Sequence, residues 1–515
     1  MRWTIAQMAD VLVARKGTGL DPLARLAGVS IDSRTIRSGE LFVAIHGPSH
    51  DGHDHVAGAF ERGAVAAVVA EAKVGQFSDE IRAKCIVVDD TFIALKQFAR
   101  AAREAWGGKI AGITGSVGKT TTKEILAALL GSRFRVLKSE GNFNNEYGLP
   151  LTLFKLDETH QAAVLEMGMS RRGELARLAE IARPDVGVIT RVSPAHLEFF
   201  ASVDEIALAK RELIEGLNGK SSTAVLNADD PRVAAFGGFA PGRVLTYGIE
   251  QPAFFTAENI EDRGALGTTF DFVSPEGRVR LDLALPGRHV IANALASLAA
   301  ASVWGIGITE ARAVLPKLRP PAMRGELLQF SNGAALINDS YNSSPAALHA
   351  MIALLAATPG FRRRILAAGE MRELGPTSAQ LHREAGCYAA KTGAIDWIIG
   401  VEGHAAEITE GAASAGIPRD HLKFFPSSSD AAQFLQNELR SGDLLLVKGS
   451  RGVKMERIVE ALLAQNRLRP AFLFDAVPTR RVPPAEMISA DPQLLTLRNL
   501  NTREDYLEAL AIAGL

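Results

Sequence analysis

The sequence predicts an α/β protein of several domains, and three observations carry that prediction. From Lys109 onward, short apolar runs of strand length alternate with stretches of helical period, the pattern of a parallel sheet covered by helices. The alternation stops at a stiff segment marked by Pro316, Pro320 and Pro321 and then begins again, which predicts a second α/β unit. The chain has 515 residues, too many for one hydrophobic core.

Taken in order, residues 1–106 mix strand-like runs (Leu41 to Ile45, Val65 to Val69, Ile86 to Val88) with helical patterns. Thr4 and Gln7 have capping-box spacing ahead of the first of these. The segment ends in a helix from about Thr91 to Trp106, which Gly107-Gly108 breaks. Residues 107–318 form a central domain with strands at Ile110–Thr114, Ala162–Met167, Val186–Thr190 and Thr223–Asn227. Period-2 alternation at Thr268–Val273 and Val279–Leu285 predicts an antiparallel hairpin. The alanine-rich run Ala292–Ile308 follows; Asn293, Ser297 and Ser302 interrupt it, so it reads as a buried core helix rather than a membrane span. Residues 319–466 restart with strands at Ala334–Asn338, Arg364–Ala368, Ile395–Gly400 and Leu444–Val447, a Rossmann-like unit. Residues 467–515 are punctuated by proline and break the pattern.

Composition narrows the function. Apolar residues make up 47% and charged residues 22%, an ordinary globular balance. The net charge of −1 offers no overall field for nucleic acid or anionic lipid, so a polyanionic substrate must be held by local loops and a few placed cations. Cys85 and Cys387 are the only cysteines and fit neither a disulfide framework nor a zinc ribbon. With no apolar signal segment at the N-terminus, a cytoplasmic location is expected; the chain is separately expected to be a monomer.

The strongest motif is Gly112-Ile113-Thr114-Gly115-Ser116-Val117-Gly118-Lys119-Thr120-Thr121, between a strand and a helical stripe at 125, 126, 129 and 130. Such a loop turns backbone N–H groups and a helix N-terminus toward a polyphosphate, and glycine lets the backbone approach it. Lys119 would bridge the β and γ phosphates and Thr120 would meet Mg²⁺. The spacing is G-x-x-G-x-x-G-K-T rather than G-x-x-x-x-G-K-S/T, since Ile113 stands at the first glycine position. No guanine-reading N-K-x-D occurs, which favours ATP.

Glu166 closes an apolar strand, where ligands of open α/β sheets bind; taken alone it reads better as a solvated strand-end acid. His196 follows the next strand and alone reads as a surface histidine. Lys210 falls inside the stripe Ile206, Leu213, Ile214, Leu217 of a helix opened by Ser202 and Glu205. Spacing alone favours a lysine snorkelling past the helix edge. The alternative is a buried, neutral amine that carbon dioxide could convert to a carbamate. His46, His50, His53 and His55 match no structural zinc spacing and read better as a polar loop that contacts substrate.

Together these residues resemble the Mur ligases of peptidoglycan synthesis, over residues 20 to about 465. The resemblance is carried by Asp32-Ser33-Arg34, Gly39 to Ala44, Asp51-Gly52-His53-Asp54, the phosphate loop with Lys123-Glu124, and Gly141 to Pro150. It continues through Glu166-Met167-Gly168, Ala195-His196-Leu197-Glu198, Ala209-Lys210, Leu226-Asn227-Ala228-Asp229-Asp230 and Pro286-Gly287-Arg288-His289. Beyond the prolines it takes in Asp339-Ser340-Tyr341-Asn342 and Lys448-Gly449-Ser450-Arg451.

The resemblance implies a three-domain ligase with a central ATP-binding domain, acting on UDP-N-acetylmuramoyl-tripeptide and D-alanyl-D-alanine through an acyl phosphate. It implies nucleotide contacts from Gly115 to Thr121 and from Asn293, Arg324 and Asp339. Two Mg²⁺ ions would be held by Thr120, Glu166, His196 and a carbamylated Lys210, which reverses the reading from spacing alone. Lys119, His196 and Lys210 become the catalytic candidates. Ser33, Arg34, Asn142 and Asn145 become candidates for the UDP-substrate, and Tyr341, Asn342, Lys448 and Arg451 for contacts made by the C-terminal domain. Val290 replaces an asparagine that the family usually has there.

Two rivals stand beside this reading. A ligase adding the third amino acid would typically carry Asp-Asn-Pro-Arg, which is absent. A nucleotide switch without ligase activity would have no need of a second metal site. The tail from Arg467 is outside the resemblance and is expected to be an appendage.

Overall fold

The computed structural model describes residues 3–47, 50–194 and 198–465. Residues 1–462 form one compact unit and residues 463–515 a second, of which only the end of the helix Glu456–Gln465 is described. The tail beyond it lies outside the described residues.

Three sheets organise the first unit. The N-terminal sheet has the order Arg15–Lys16, Cys85–Val88, Ala66–Ala70, Glu40–Val43, Gly28–Ser30, parallel except for the first strand. The central sheet has nine strands. Seven run parallel, with Lys109–Thr114 between Val186–Ile189 and Ala162–Glu166. The expected hairpin is present at one edge, Thr268–Ser274 against Gly277–Leu283. The third sheet sets five parallel strands beside the antiparallel Glu326–Gln329.

The helix Thr91–Trp106 shows why the first two sheets share a core. Asp90 caps it by accepting the N–H groups of Phe92 and Ile93, and Gly107 ends it at φ 69°. Leu95, Phe98 and Ala99 are buried, and the Phe98 ring lies 4.9 Å from that of Phe154 in the central domain. Buried Arg103 donates to the Ala182 carbonyl at 2.8 Å, and Trp106 Nε1 to that of His160 at 3.1 Å. Apolar packing is thus continuous from Ile5 to Phe236.

The third sheet has a core of its own, entered by one central-domain residue, Ala265. Its N–H donates to Thr358 Oγ1 at 3.0 Å, and neighbouring Gly264 (φ 59°) has no room for a Cβ against the Thr358 backbone. Pro316 sits in a 3-10 turn, Leu315–Lys317, whose Leu315 is buried in the central core. It therefore closes the central domain instead of belonging to the connecting segment. The alanine-rich helix, His289–Ser302, is almost entirely buried, and among the described residues no helix is long and apolar enough to cross a membrane.

Candidate functional site

The glycine-rich loop joins the strand Lys109–Thr114 to the helix Lys119–Leu130. Gly118 takes φ 87°, and a Cβ there would lie 2.4 Å from Asn293 Oδ1; at Gly115 a Cβ would meet Thr190 Oγ1 at 1.8 Å. Both positions exclude any side chain. The loop is braced from the next strand end. Ser116 N–H donates to the Arg191 carbonyl at 2.7 Å, Ser116 Oγ to that of Ser193 at 2.9 Å, and Thr190 Oγ1 to that of Val117 at 2.5 Å. Lys119 Nζ folds back on the Gly115 and Ser116 carbonyls at 2.7 and 3.5 Å. Burial lowers its pKa, with Glu166 opposing that shift.

Glu166 ends the neighbouring strand and is buried. One carboxylate oxygen accepts the Thr120 hydroxyl at 2.8 Å, the other Asn144 Nδ2 at 2.9 Å. Its backbone N–H donates to Ser139 Oγ, and buried Lys123 donates to the Ser139 carbonyl at 2.8 Å. Asn144 holds the carboxylate directly and Lys123 braces the Ser139 that accepts the Glu166 N–H, roles that spacing along the chain does not reveal. Lys210, on the helix Val203–Glu215, is only 3% exposed, so it does not snorkel. Burial and then the Lys119 charge push its pKa well below the usual lysine value. His196 lies outside the described residues.

Lys119, Thr120, Glu166 and Lys210 open onto one cavity of about 1170 Å³, which the C-terminal domain closes on its other side. Asn293 lines it from the central domain, and Arg324, Asp339, Tyr341, Asn342, Lys448 and Arg451 line the C-terminal wall. The Arg324 and Arg451 guanidiniums lie 4.3 and 5.6 Å from the Tyr341 ring centre. Buried Lys448 pairs with Asp339 and donates to the Asn342 carbonyl at 2.9 Å. Val290 is buried in the central core.

The structure does not bring Ser33, Arg34 and Asn142 into this cavity, whereas exposed Asn145 lines its edge. Arg34 grips Asp32 through two bonds, at 2.9 and 2.7 Å, and holds that carboxyl at about 2. The histidine cluster divides. His53 is buried, with Nδ1 2.6 Å from Asp51 and Nε2 accepting Ala70 N–H at 3.0 Å, so both ring nitrogens are used. His46 is exposed, and among the described residues no metal-holding group of His, Cys, Asp or Glu forms. His53→Ala should therefore cost about 2–4 kcal/mol in urea unfolding, through two lost bonds and a cavity. Added zinc should shift the midpoints of wild type and His53→Ala equally.

Sequence reading also passed over the bracing role of Asn227, Asp229 and Asp230. Asn227 donates to the Thr190 carbonyl, Asp229 accepts three successive N–H groups from 249 to 251, and Asp230 accepts that of Val192. They fix the strand ends under the phosphate loop.

Comparison with known proteins agrees with this arrangement. Residues 25–103 match the family model for the Mur ligase family catalytic domain, 113–301 the Mur ligase middle domain, and 323–451 the Mur ligase glutamate ligase domain. The UDP-N-acetylmuramoyl-tripeptide--D-alanyl-D-alanine ligase of Bacillus subtilis (strain 168) is 35% identical over 89% of this chain and 98% of its own length. That of Escherichia coli (strain K12) is 33% identical over the same shares. A crystal structure of MurF from Acinetobacter baumannii aligns with TM-score 0.81 at 28% identity, over 90% of this chain and 99% of that one. The MurF ligase from Thermotoga maritima in complex with ADP gives 0.73 at 29%, over 85% and 97%. With three family models matched in order and relatives above 30% identity along most of its length, the chain belongs to the Mur ligase family.

Proposed function

We propose that the chain is an ATP-dependent, ADP-forming ligase that joins D-alanyl-D-alanine to UDP-N-acetylmuramoyl-tripeptide in the cytosolic stage of peptidoglycan precursor synthesis. The observation that carries this is the single cavity where Lys119, Glu166 and Lys210 face a cationic wall from another domain. Relatives of that name and the ADP complex of a structural neighbour support it.

A carboxylate is a poor electrophile, so phosphorylating the tripeptide's terminal carboxylate prepares it for attack by an amine. Lys119 would leave its carbonyls for the β and γ phosphates, and loop N–H groups would take the remaining oxygens. The hydroxyl of Thr120 and the carboxylate of Glu166 are oxygen donors 2.8 Å apart, a set that suits a hard dication. Bound magnesium supplies neutralisation of charge on the phosphates. Lys210 as a carbamate, together with His196, would furnish the second ion's ligands; its depressed pKa supports that chemistry, because the neutral amine is the form that takes up carbon dioxide.

Asn293, Arg324 and Asp339 would complete the nucleotide site. Ser33, Arg34, Asn142 and Asn145 would meet the UDP-substrate, and Tyr341, Asn342, Lys448 and Arg451 the dipeptide. Holding three substrates in register is mainly a proximity problem, which suits domains that close on a shared cavity.

An ADP-release assay tests this. Release should require UDP-tripeptide and D-alanyl-D-alanine together. ADP formed from UDP-dipeptide and a free diamino acid, or with no acceptor at all, would overturn it.

A further inference from the structure

The strands Arg363–Gly369, Trp397–Val401 and Asp443–Lys448 end side by side, and the turns that follow them are held in costly conformations. Of the seven non-glycine residues with positive φ among the described residues, three lie in or beside these turns: Glu373 (63°), Glu402 (66°) and Lys454 (57°). Such conformations persist only where surroundings over-determine them, and they gather at ligand sites. The ties are explicit. Glu370 N–H donates to the Val401 carbonyl at 3.0 Å, Ser450 N–H to that of Glu370 at 3.1 Å, and Arg372 N–H to Ser450 Oγ at 2.9 Å.

One further tie comes from a fully buried histidine. His382, on the helix Ser378–Lys391, donates from Nδ1 to its own helix's Ser378 carbonyl at 2.7 Å, which leaves Nε2 to accept Met371 N–H at 2.8 Å. Burial lowers its pKa, so the neutral form that can accept is favoured. A satisfied core histidine needs no more than this. Its partner, however, is the N–H directly before Arg372, whose guanidinium lies over Gly452 and pairs with Glu402 at 3.2 Å. Arg372, Glu373, Ser450 and Arg451 all face the cavity.

We propose that His382 is a positioning residue for the amine-donating substrate: it fixes the Arg372–Glu373 turn as part of the wall that receives a zwitterionic dipeptide. The inference rests on the ligase reading above. The carboxylate of a zwitterion is best held by a cation on backbone that does not move, and this turn sets Arg372 on the C-terminal wall of the cavity.

The test uses the full-length enzyme and its His382→Leu, His382→Gln and Arg372→Ala variants. KM for D-alanyl-D-alanine, KM for ATP and kcat are measured beside Tm. His382→Leu should raise the dipeptide KM by about tenfold while the ATP KM moves by less than about twofold, the size of one lost hydrogen bond. His382→Gln should recover most of the loss, because its amide oxygen can accept Met371 N–H. Exposed Arg372→Ala should reproduce the selective rise. A folded His382→Leu that leaves the dipeptide KM unmoved, or raises both KM values alike, overturns the inference. Should His382→Leu not fold, an unchanged dipeptide KM in Arg372→Ala overturns it equally. Wild-type enzyme that releases no ADP with both substrates present defeats the ligase reading instead, so the two failures are distinct.

Discussion

Lys119→Ala should lower kcat for ADP release by about a thousandfold or more while leaving Tm unchanged or slightly raised. Both halves follow from where the ammonium sits. It rests on the Gly115 and Ser116 carbonyls, and burial has already lowered its pKa. Removing it relieves a desolvated charge, so the folded state loses little. The transition state, with charge spread over the transferred phosphoryl oxygens, loses a cation fixed in a site of low dielectric, where groups of this kind contribute about a hundredfold to a thousandfold each. Lys119→Arg should not rescue it, since a broad planar guanidinium does not reproduce a compact ammonium seated on the Gly115 and Ser116 carbonyls. A loss of less than about tenfold, or a marked fall in Tm, would show that Lys119 serves the loop's fold and not phosphate transfer.

How far the sequence revealed all this depends on whether a signal was local. The helix Thr91–Trp106 was readable because Gly107 marks its end in the sequence; the cap at its start, Asp90, emerges from the structure. Thr223–Asn227 and the 268–283 hairpin were readable for a similar reason, their period lying within the segment. Phe255–Asp262 was not. Its ladder slips between Glu258 and Glu261, and Asn259 sits at φ 46°, so no clean alternation survives. Arg243–Gly248 is fully buried only toward its end, and Val136–Lys138 is a three-residue edge strand.

The site divides in the same way. Gly118-Lys119-Thr120 carries its chemistry in adjacent residues, and Glu166 could be placed because it ends a strand. Asn144 and Lys123 act through bonds to residues more than a dozen positions away, and His382 acts on a backbone N–H eleven positions back. Composition contains no trace of such bonds. Lys210 is the intermediate case. The stripe Ile206–Leu217 put it on the apolar face, where spacing alone favoured a snorkelling lysine; only the fold buries it and brings Lys119 close enough to depress its pKa further.

Lys210 therefore gives the second large effect, and it separates two readings of a buried lysine. If the amine is carbamylated, Lys210→Ala should reduce kcat by about a hundredfold or more, and Lys210→Glu should recover part of it by returning a carboxylate to the cavity. Labelled bicarbonate should give a carbamate signal in the wild type that is missing in both variants. The stability of carbon-dioxide-free protein provides a check that does not need turnover. The folded pKa of Lys210 is lowered, so between that value and the unfolded pKa near 10.4 the unfolded chain binds more protons than the folded one. The stability contributed by this site must then rise with pH across that window, with its full penalty felt at the acid end. Lys210→Met removes the penalty, so it should be more stable than wild type at neutral pH, by a margin that shrinks as pH approaches 10. A margin independent of pH would mean that the ammonium is not desolvated in the fold. Full activity in Lys210→Ala would mean that no ligand is lost with it, and the second ion would then have to be held without Lys210.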